Sequence, residues 1–147
     1  MTVAEYLSQI RQIAIKIKLA KEQLEEYKEL SCSARSPQFD STGSGTSSSY
    51  CTNANFVGLL HTIDELEEKL CQKIEQMLKL KIQIINLIYT LEDQDEIYIL
   101  NMIYLKNSSF SKLSEEFSVD ESTVRRWHKN ALNKLVLPED AIDLKSL

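Results

Sequence analysis

The stretch FSKLSEEFSVDESTVRRWHKNALNKL, from Phe110 to Leu135, decides the fold that this sequence predicts. Its first part spaces apolar side chains at i, i+3 and i+7, as a helix with one buried face does; they are Phe110, Leu113 and Phe117. Ser118 takes the turn position, where a positive φ is often needed and Gly is the usual residue. Val119 then fills the angle between two helices. We therefore predict two short helices that meet at a tight turn.

The second helix of this pair has one apolar and one polar face. Asp120 is its predicted N-cap, with the carboxylate accepting from amides of the first turn. At 100° per residue, the apolar side chains fall on one side; they are Val124, Trp127, Ala131 and Leu135. The opposite face and its shoulders carry the candidate DNA-binding residues, which are Ser122, Thr123, Arg125, Arg126, Lys129, Asn130 and Asn133. The pair predicts a helix-turn-helix, whose second helix lies in the major groove of double-stranded DNA.

A third helix is predicted just upstream, in the stretch LEDQDEIYILNMIYL from Leu91 to Leu105. Asp93 and Glu96 stand in the spacing of a capping box, with Asp in place of Ser or Thr. An apolar stripe follows, formed by Ile97, Leu100, Ile103 and Tyr104. We expect a helix-turn-helix module at residues 92–137 and a short tail at 138–147.

The segment from Leu91 to Leu135 resembles region 4 of the sigma-70 family. The matching residues are Leu113, Ser114, Phe117, Val119, Ser122, Thr123, Val124, Arg125, Arg126, Ala131, Leu132 and Leu135. The whole chain is similar to small phage-encoded regulators of the ArpU type, in which a helical pair precedes such a module. The resemblance implies sequence-specific control of phage or prophage transcription in the bacterial cytoplasm, through a recognition helix starting near Glu121. It also makes RNA polymerase a candidate partner.

The N-terminal part carries two heptad seams, which predict a long coiled-coil hairpin. The first seam comprises Val3, Tyr6, Ile10, Ile13, Ile17, Ala20, Leu24 and Tyr27. The second comprises Phe56, Leu59, Ile63, Leu66, Leu70, Lys73, Met77, Leu80, Ile84, Leu87 and Leu91. A Ser/Gly-rich linker separates them, so the predicted first domain is 1–91, with helices at about 2–30 and 54–91 and a disordered linker at 31–53. The seams fit the inside of one antiparallel hairpin and equally a homodimer.

The predicted fold class is therefore all-α, a long antiparallel helical hairpin followed by a sigma-70 region 4-like helix-turn-helix module. The end of the second helix is apolar on more than one side, so we expect it to pack on that module. The residues concerned are Ile82, Ile84, Ile85, Leu87 and Ile88.

The charge distribution predicts weak DNA binding by a single copy. The chain has a formal net charge of −5, and the residues from 93 onward are themselves acidic. Nonspecific DNA affinity comes largely from the neutralisation of phosphates. Between Ser122 and Leu135, however, every charged residue is basic. We expect a locally basic surface that binds DNA firmly only together with a second copy of the chain or with RNA polymerase.

Other classes of function find little support in the sequence. The three cysteines lack C-x-x-C spacing, which indicates reduced thiols in a cytoplasm; whether Cys32 and Cys51 ever pair stays open. His61 and His128 lie far apart in sequence, so we predict no metal and no cofactor. A phosphate-binding Gly-rich loop and a nucleophile elbow are both missing, so we predict a non-enzyme. No apolar run is long enough for a membrane span.

Two alternatives to DNA readout stay open. The first is a coiled-coil interaction protein that acts on RNA polymerase or on a phage assembly partner without direct contact to bases. The second is a structural helical protein without a nucleic-acid role. Retained regulatory activity after both Arg125 and Arg126 are replaced by Ala favours the first, and loss of all DNA retention at low salt favours the second.

Overall fold

A computed structural model describes residues 1–35 and 49–145 of the chain. Within those ranges all regular structure is helical, which confirms the all-α prediction. The elements are α1 (Val3–Arg35), α2 (Ser49–Ile88), α3 (Gln94–Leu100), a π-helical segment (Asn101–Leu105), α4 (Phe110–Phe117) and α5 (Glu121–Lys134). None of these helices is both long and apolar enough to cross a membrane.

The two long helices extend further into the Ser-rich region than the sequence predicts. The α1 helix continues to Arg35 instead of ending near residue 30, and α2 begins at Ser49 instead of residue 54. Neither 31–35 nor 49–53 contains Gly or Pro, so nothing in these flanks breaks a helix. At its other end α2 stops at Ile88 rather than 91. The predicted disorder of the central linker, 36–48, lies outside the described residues.

The chain divides into two compact units. The first unit comprises Met1–Ala14 together with Glu75–Leu147, and the second unit comprises Ile15–Ile74. The predicted division lay between residues 91 and 92. Instead, the start of α1 and the end of α2 belong to the same unit as α3, α4 and α5, because their apolar side chains are buried there.

In the second unit, positions of both predicted seams are buried. They are Ile17 and Leu24 on α1, and Ile63 and Leu70 on α2. Lys28 Nζ on α1 lies 3.0 Å from Glu67 Oε1 on α2, and both side chains are about half exposed. An ion pair in such contact with water adds little stability. The buried apolar seam therefore accounts for most of the stability of this unit.

In the first unit, the start of α1 and the end of α2 contribute fully buried side chains. They are Tyr6, Leu7, Leu80, Ile84 and Ile88. Leu7 lies outside the predicted seam, and its burial beside Tyr6 shows that α1 is covered on more than one side here. Ile82, which was predicted to pack inward, is 59% exposed. At the end of α2, Ile84, Leu87 and Ile88 are therefore buried and Ile82 is not; that this end packs on the helix-turn-helix module stays a prediction.

A π-helical segment follows α3 directly, and the buried face of these two elements differs in part from the predicted stripe. Lys106 N donates to Asn101 O over 3.2 Å, the i to i+5 bond of a π-helix. Ile99 and Ile103 form a buried cluster with Leu113 and Val124. Ile97, which was predicted in the stripe, is only partly buried. Glu96, Ile99, Leu100 and Ile103 are all buried at the i, i+3, i+4 and i+7 positions of one helix face, so the predicted stripe was correct for Leu100 and Ile103 and wrong for Ile97.

The predicted capping box is only half present. Asp93 Oδ1 accepts from Asp95 N over 2.9 Å and so caps α3. The buried carboxylate of Glu96 does not reach back to Asp93; instead, it accepts two bonds from Lys134 Nζ on α5, of 2.7 and 2.9 Å. A buried carboxylate needs a charged partner more than a surface amide needs a cap. Glu96 thus joins α3 to α5.

The C-terminal tail folds back onto the long helices. Gln83 Nε2 on α2 donates to Asp140 O over 3.3 Å, and Leu144 N donates to Gln9 Oε1 on α1 over 3.2 Å. Tyr6 Oη donates in turn to Gln83 Oε1 over 2.8 Å. The segment predicted as a short tail is therefore a packed part of the first unit.

Candidate nucleic-acid interface

The turn between α4 and α5 has the left-handed residue that its sequence predicts. Ser118 has φ 53° and ψ 43°, which confirms the expected positive φ. Its amide donates to Glu115 O over 3.2 Å, and Val119 N donates to Ser114 O over 3.1 Å. These bonds satisfy the last carbonyls of α4. The chain therefore reverses within three residues, without a glycine.

Asp120 stands at the N-cap of α5, as predicted, but its carboxylate accepts no capping hydrogen bond. The backbone oxygen of Asp120 accepts instead from Thr123 N over 2.9 Å and from Val124 N over 3.3 Å. Thr123 N, one of the two amides that a capping side chain can bind, is thus engaged by the backbone of Asp120 rather than by its carboxylate. The Asp120 carboxylate is exposed to solvent.

The predicted DNA-binding residues all lie on α5, and most of their side chains face solvent. Six are exposed: Ser122, Arg125, Arg126, Lys129, Asn130 and Asn133. Thr123 is half-buried. On the opposite face, Val124 and Ala131 are fully buried and Leu135 is buried. The helix therefore presents one continuous polar face, which we call the α5 face and define by these seven residues.

The adjacent arginines of the α5 face differ in their surroundings. Arg125 Nη2 lies 2.6 Å from Glu121 Oε1, and its guanidinium carbon lies 4.5 Å from the centroid of the Phe110 ring. Neither Arg126 nor Lys129 has an ion pair or hydrogen bond with any described residue. The side chains of Arg126 and Lys129 are therefore free to contact an external anion. The Arg125 guanidinium is also exposed, but it is already bound by Glu121 and Phe110.

Aromatic contacts fix the inner side of α5. Tyr104 Oη and His128 Nε2 lie 3.0 Å apart, and the His128 and Phe110 rings meet edge to face with centroids 5.2 Å apart. Burial and the nearby Arg125 guanidinium lower the pKa of His128 below its usual value. Trp127 meets Phe117 edge to face at 5.7 Å. His128 and Trp127 therefore pack on the inner side of α5 and do not belong to the α5 face.

The loop before α4 is held by an arginine that sequence analysis missed. Arg11 Nε on α1 donates to Asn107 Oδ1 over 2.9 Å, and Arg11 Nη2 donates to Ile103 O over 3.4 Å. Asn107 has φ 53°, a conformation that Asn tolerates better than most residues. Its place in a polar loop was a signal for a turn, but nothing in the sequence links it to Arg11.

Side chains that could ligate a metal ion lie apart from one another in the described part of the chain. No three His, Cys, Asp or Glu side chains of residues 1–32 and 56–145 cluster as a metal site would require. Cys32 and Cys71 are exposed free thiols. Among described side chains, the cationic and amide groups of the α5 face are thus the strongest candidate site.

The comparison with protein families identifies the chain at a coarse level. A family model described as "Protein of unknown function (DUF1492)" matches residues 37–136, which is most of the chain. The chain belongs to the DUF1492 family. The matched segment includes α2 to α5, so the whole α5 face of this DUF1492 protein falls inside it. Neither the curated proteins nor the solved structures contain a match.

Proposed function

We propose that this DUF1492 protein is a sequence-specific DNA-binding regulator of phage or prophage transcription, in which α4 and α5 act as a helix-turn-helix. One observation carries the proposal: Arg126 and Lys129 are exposed and unpaired in the described ranges, on a helix whose opposite face is buried. A basic helix face with free cations is suited to the major groove, where phosphates and base edges lie together.

Each part of the α5 face has a role in this proposal. The first turn, with Ser122 and Thr123, approaches the base edges. Arg126 donates two bonds to a guanine, a contact that is worth about 1–3 kcal/mol of base discrimination. Lys129 neutralises a phosphate, and the amides of Asn130 and Asn133 contact bases or backbone further along. Arg125 reaches DNA only if it leaves Glu121, so its main role is to position α5.

The resemblance to region 4 of sigma-70 proteins and to ArpU-type regulators supports this proposal. It also supports a bacterial cytoplasmic location and RNA polymerase as a partner. The formal charge of −5 supports weak binding by one copy, because affinity for DNA depends strongly on phosphate neutralisation. A partner that adds its own DNA contacts compensates for this weakness.

A second copy of the chain is the other partner that we propose to strengthen DNA binding. The α2 helix exposes apolar residues of the first unit in the 4-3 spacing of a coiled-coil seam. The exposed fractions are 55% for Leu78 and 59% for Ile82, and Ile85, the next position of the seam, is half-buried. Two such stripes in contact would place two α5 faces in one assembly and allow a two-part DNA site.

Binding of labelled duplexes, measured by fluorescence anisotropy at several salt concentrations, tests the proposal. Arg126→Ala should reduce the preference for a specific duplex, while Lys129→Ala should weaken all duplexes and reduce the salt slope by about one. Lys16→Ala removes one exposed charge from the second unit and serves as the control. An equal loss of DNA affinity in all three variants would show that net charge alone, rather than the α5 face, governs binding.

An alternative function is regulation through RNA polymerase or a phage assembly partner without DNA readout. The acidic balance of the chain favours it, since a net negative protein is repelled by phosphates. Replacing both Arg125 and Arg126 by Ala separates the two functions. Retained regulation of a reporter gene by this double variant would favour the alternative, and loss of regulation with an unchanged fold would favour DNA readout.

A further inference from the structure

A second surface of the first unit has a chemistry that differs from that of the α5 face. An open cleft of about 580 Å³ lies between the residue that follows α2, α3 with the π-helical segment, and the end of α4. Its lining includes Tyr89, Tyr98, Phe117, Asp95 and Glu116. None of the lining residues comes from α5, so the cleft is separate from the proposed DNA contact.

Aromatic rings form the walls of this cleft and are left open to solvent. Tyr98 meets Phe117 edge to face, with centroids 5.7 Å apart and planes at 79°. Tyr98 is 43% exposed and Tyr89 is 65% exposed. Aromatic rings are usually covered in a stable protein, and their faces carry negative electrostatic potential. The cleft therefore offers faces on which a cation can stack.

Two carboxylates add to this negative potential. Tyr98 Oη donates to Glu116 Oε2 over 2.8 Å, and this bond raises the pKa of the phenol. The Asp95 carboxylate has no ion pair or hydrogen bond with any described side chain. The cleft lining contains no Lys, Arg or His. An anion such as a DNA phosphate would be repelled here, whereas a cation would find acceptors that the protein itself leaves unneutralised.

We propose that this cleft binds an arginine side chain that a basic segment of a partner protein presents. A planar guanidinium stacks on aromatic faces and donates to carboxylates with several N–H groups at once. It is also more weakly hydrated than the ammonium group of lysine, so it loses less on entering a partly apolar cleft. Tyr98 and Tyr89 supply the stacking faces, and Glu116 and Asp95 accept the hydrogen bonds.

This inference does not depend on DNA binding. The cleft and the α5 face share no residue, and the ligands carry opposite charge. A regulator that holds DNA with α5 could therefore bind a basic protein segment at the cleft at the same time. If the chain binds DNA but not the arginine peptide, the proposal for the cleft fails and the proposal for the α5 face stands. If it binds the arginine peptide but not DNA, the proposal for the α5 face fails and the proposal for the cleft stands.

Titration of the full chain with short capped peptides, followed by amide NMR spectra, tests the proposal. The probes are Gly-Ala-Arg-Ala-Gly, the same peptide with citrulline, and the same peptide with lysine. Citrulline keeps the shape of arginine but has no charge. We expect saturable shifts around Tyr89, Tyr98 and Phe117 with the arginine peptide. Binding of the citrulline peptide should be roughly tenfold weaker, because the cation–π contact and the charge attraction of the two carboxylates are both lost.

Variants of the carboxylates provide the second comparison. Glu116→Gln and Asp95→Asn should each weaken binding of the arginine peptide, while Glu115→Gln, an exposed neighbour outside the cleft, should not. Equal affinity for the arginine and citrulline peptides, shifts confined to other surfaces, or no saturable shift would each overturn the proposal. If a variant fails to fold, the comparison of arginine with citrulline on the unaltered chain still decides. Shifts at Leu78 and Ile82 that depend on protein concentration alone would identify a second copy as the occupant and would also overturn it.

Discussion

The guanidinium of Arg125 covers the ring of Phe110, with its central carbon 4.5 Å from the ring centroid. This contact joins α5 to the start of α4, and Glu121 holds the same guanidinium from the side with a bond of 2.6 Å. Arg126, the next residue, has no such partner among the described residues. Two arginines that look equivalent in the sequence therefore have separate roles, one in positioning the helix and the other at its outer surface.

The first prediction separates these roles by stability. Arg125→Ala should lower the free energy of unfolding by about 0.5–1 kcal/mol, because a cation–π contact at a partly exposed site is lost. Arg126→Ala should change it by less than about 0.5 kcal/mol, as a surface substitution does. Denaturant unfolding followed by the fluorescence of Trp127, the single tryptophan of the chain, measures both. Equal changes in the two variants would contradict the assignment of Arg125 to positioning.

A second prediction concerns the turn between α4 and α5. Ser118 has φ 53°, a left-handed conformation that costs a residue with a Cβ about 1–2 kcal/mol. Ser118→Gly should therefore stabilise the first unit by about 1 kcal/mol, since Gly adopts this conformation without strain. Ser111→Gly, at an exposed position inside α4, is the matched control and should destabilise by about 0.5 kcal/mol. Loss of stability in Ser118→Gly would show that the turn is not strained.

The third prediction concerns pH. Burial and Arg125 lower the folded-state pKa of His128 below 6.5, so the unfolded chain binds a proton more readily than the folded one does. The stability that the neutral ring contributes is complete above pH 6.5 and is lost as the pH falls through the lowered pKa. Thermal unfolding at pH 7.5 and at pH 5 measures this loss.

His128→Gln provides the control for the pH dependence, because Gln does not titrate and can still contact Tyr104. The variant should lose less stability than the unaltered chain between the two pH values. His61 is exposed, and His61→Gln should leave the full loss in place. The same pH dependence in His128→Gln as in the unaltered chain would assign the effect to other groups.

A fourth prediction concerns the ion pair between α3 and α5. Lys134→Met leaves the buried Glu96 carboxylate without its cation, so the thermal midpoint should fall clearly. Lys129→Met removes a cation that has no partner in the described ranges and should leave the midpoint nearly unchanged. A similar midpoint for both variants would mean that water satisfies Glu96 without Lys134.

The α4 and α5 helices were predictable because their signals are local. A period of 3.6 over a short stretch places Leu113, Val124 and Ala131 inside and Arg126 and Lys129 outside, and the structure confirms this division. The positive φ of Ser118 follows from the length of the turn. No contact with a distant part of the chain is needed for any of these features.

The features that were missed depend on distant contacts or on a helix face whose buried side includes a charged residue. Arg11 and Asn107 lie far apart in the chain, as do Gln9 and Leu144, and no pattern in one sequence links such pairs. On α3, the buried positions Glu96, Ile99, Leu100 and Ile103 follow the regular i, i+3, i+4, i+7 spacing, so Ile97 was assigned to the wrong side of the helix, partly because Glu96 was expected at the surface. In the candidate site, the pairing of Arg125 with Glu121 has the i, i+4 spacing of a helical ion pair and was foreseeable, whereas its contact with Phe110 was not.

Selection of bound sequences from a pool of random duplexes at low salt, run in parallel with the unaltered chain and with Arg126→Ala, is the most direct test of DNA readout by α5. We expect the unaltered chain to enrich a defined motif that contains a guanine. Trp127 fluorescence first verifies that Arg126→Ala is folded. This variant should then enrich a motif in which other bases are accepted at that guanine position. No enrichment by the folded unaltered chain, or the same motif from both proteins, would contradict the proposed role of the α5 face.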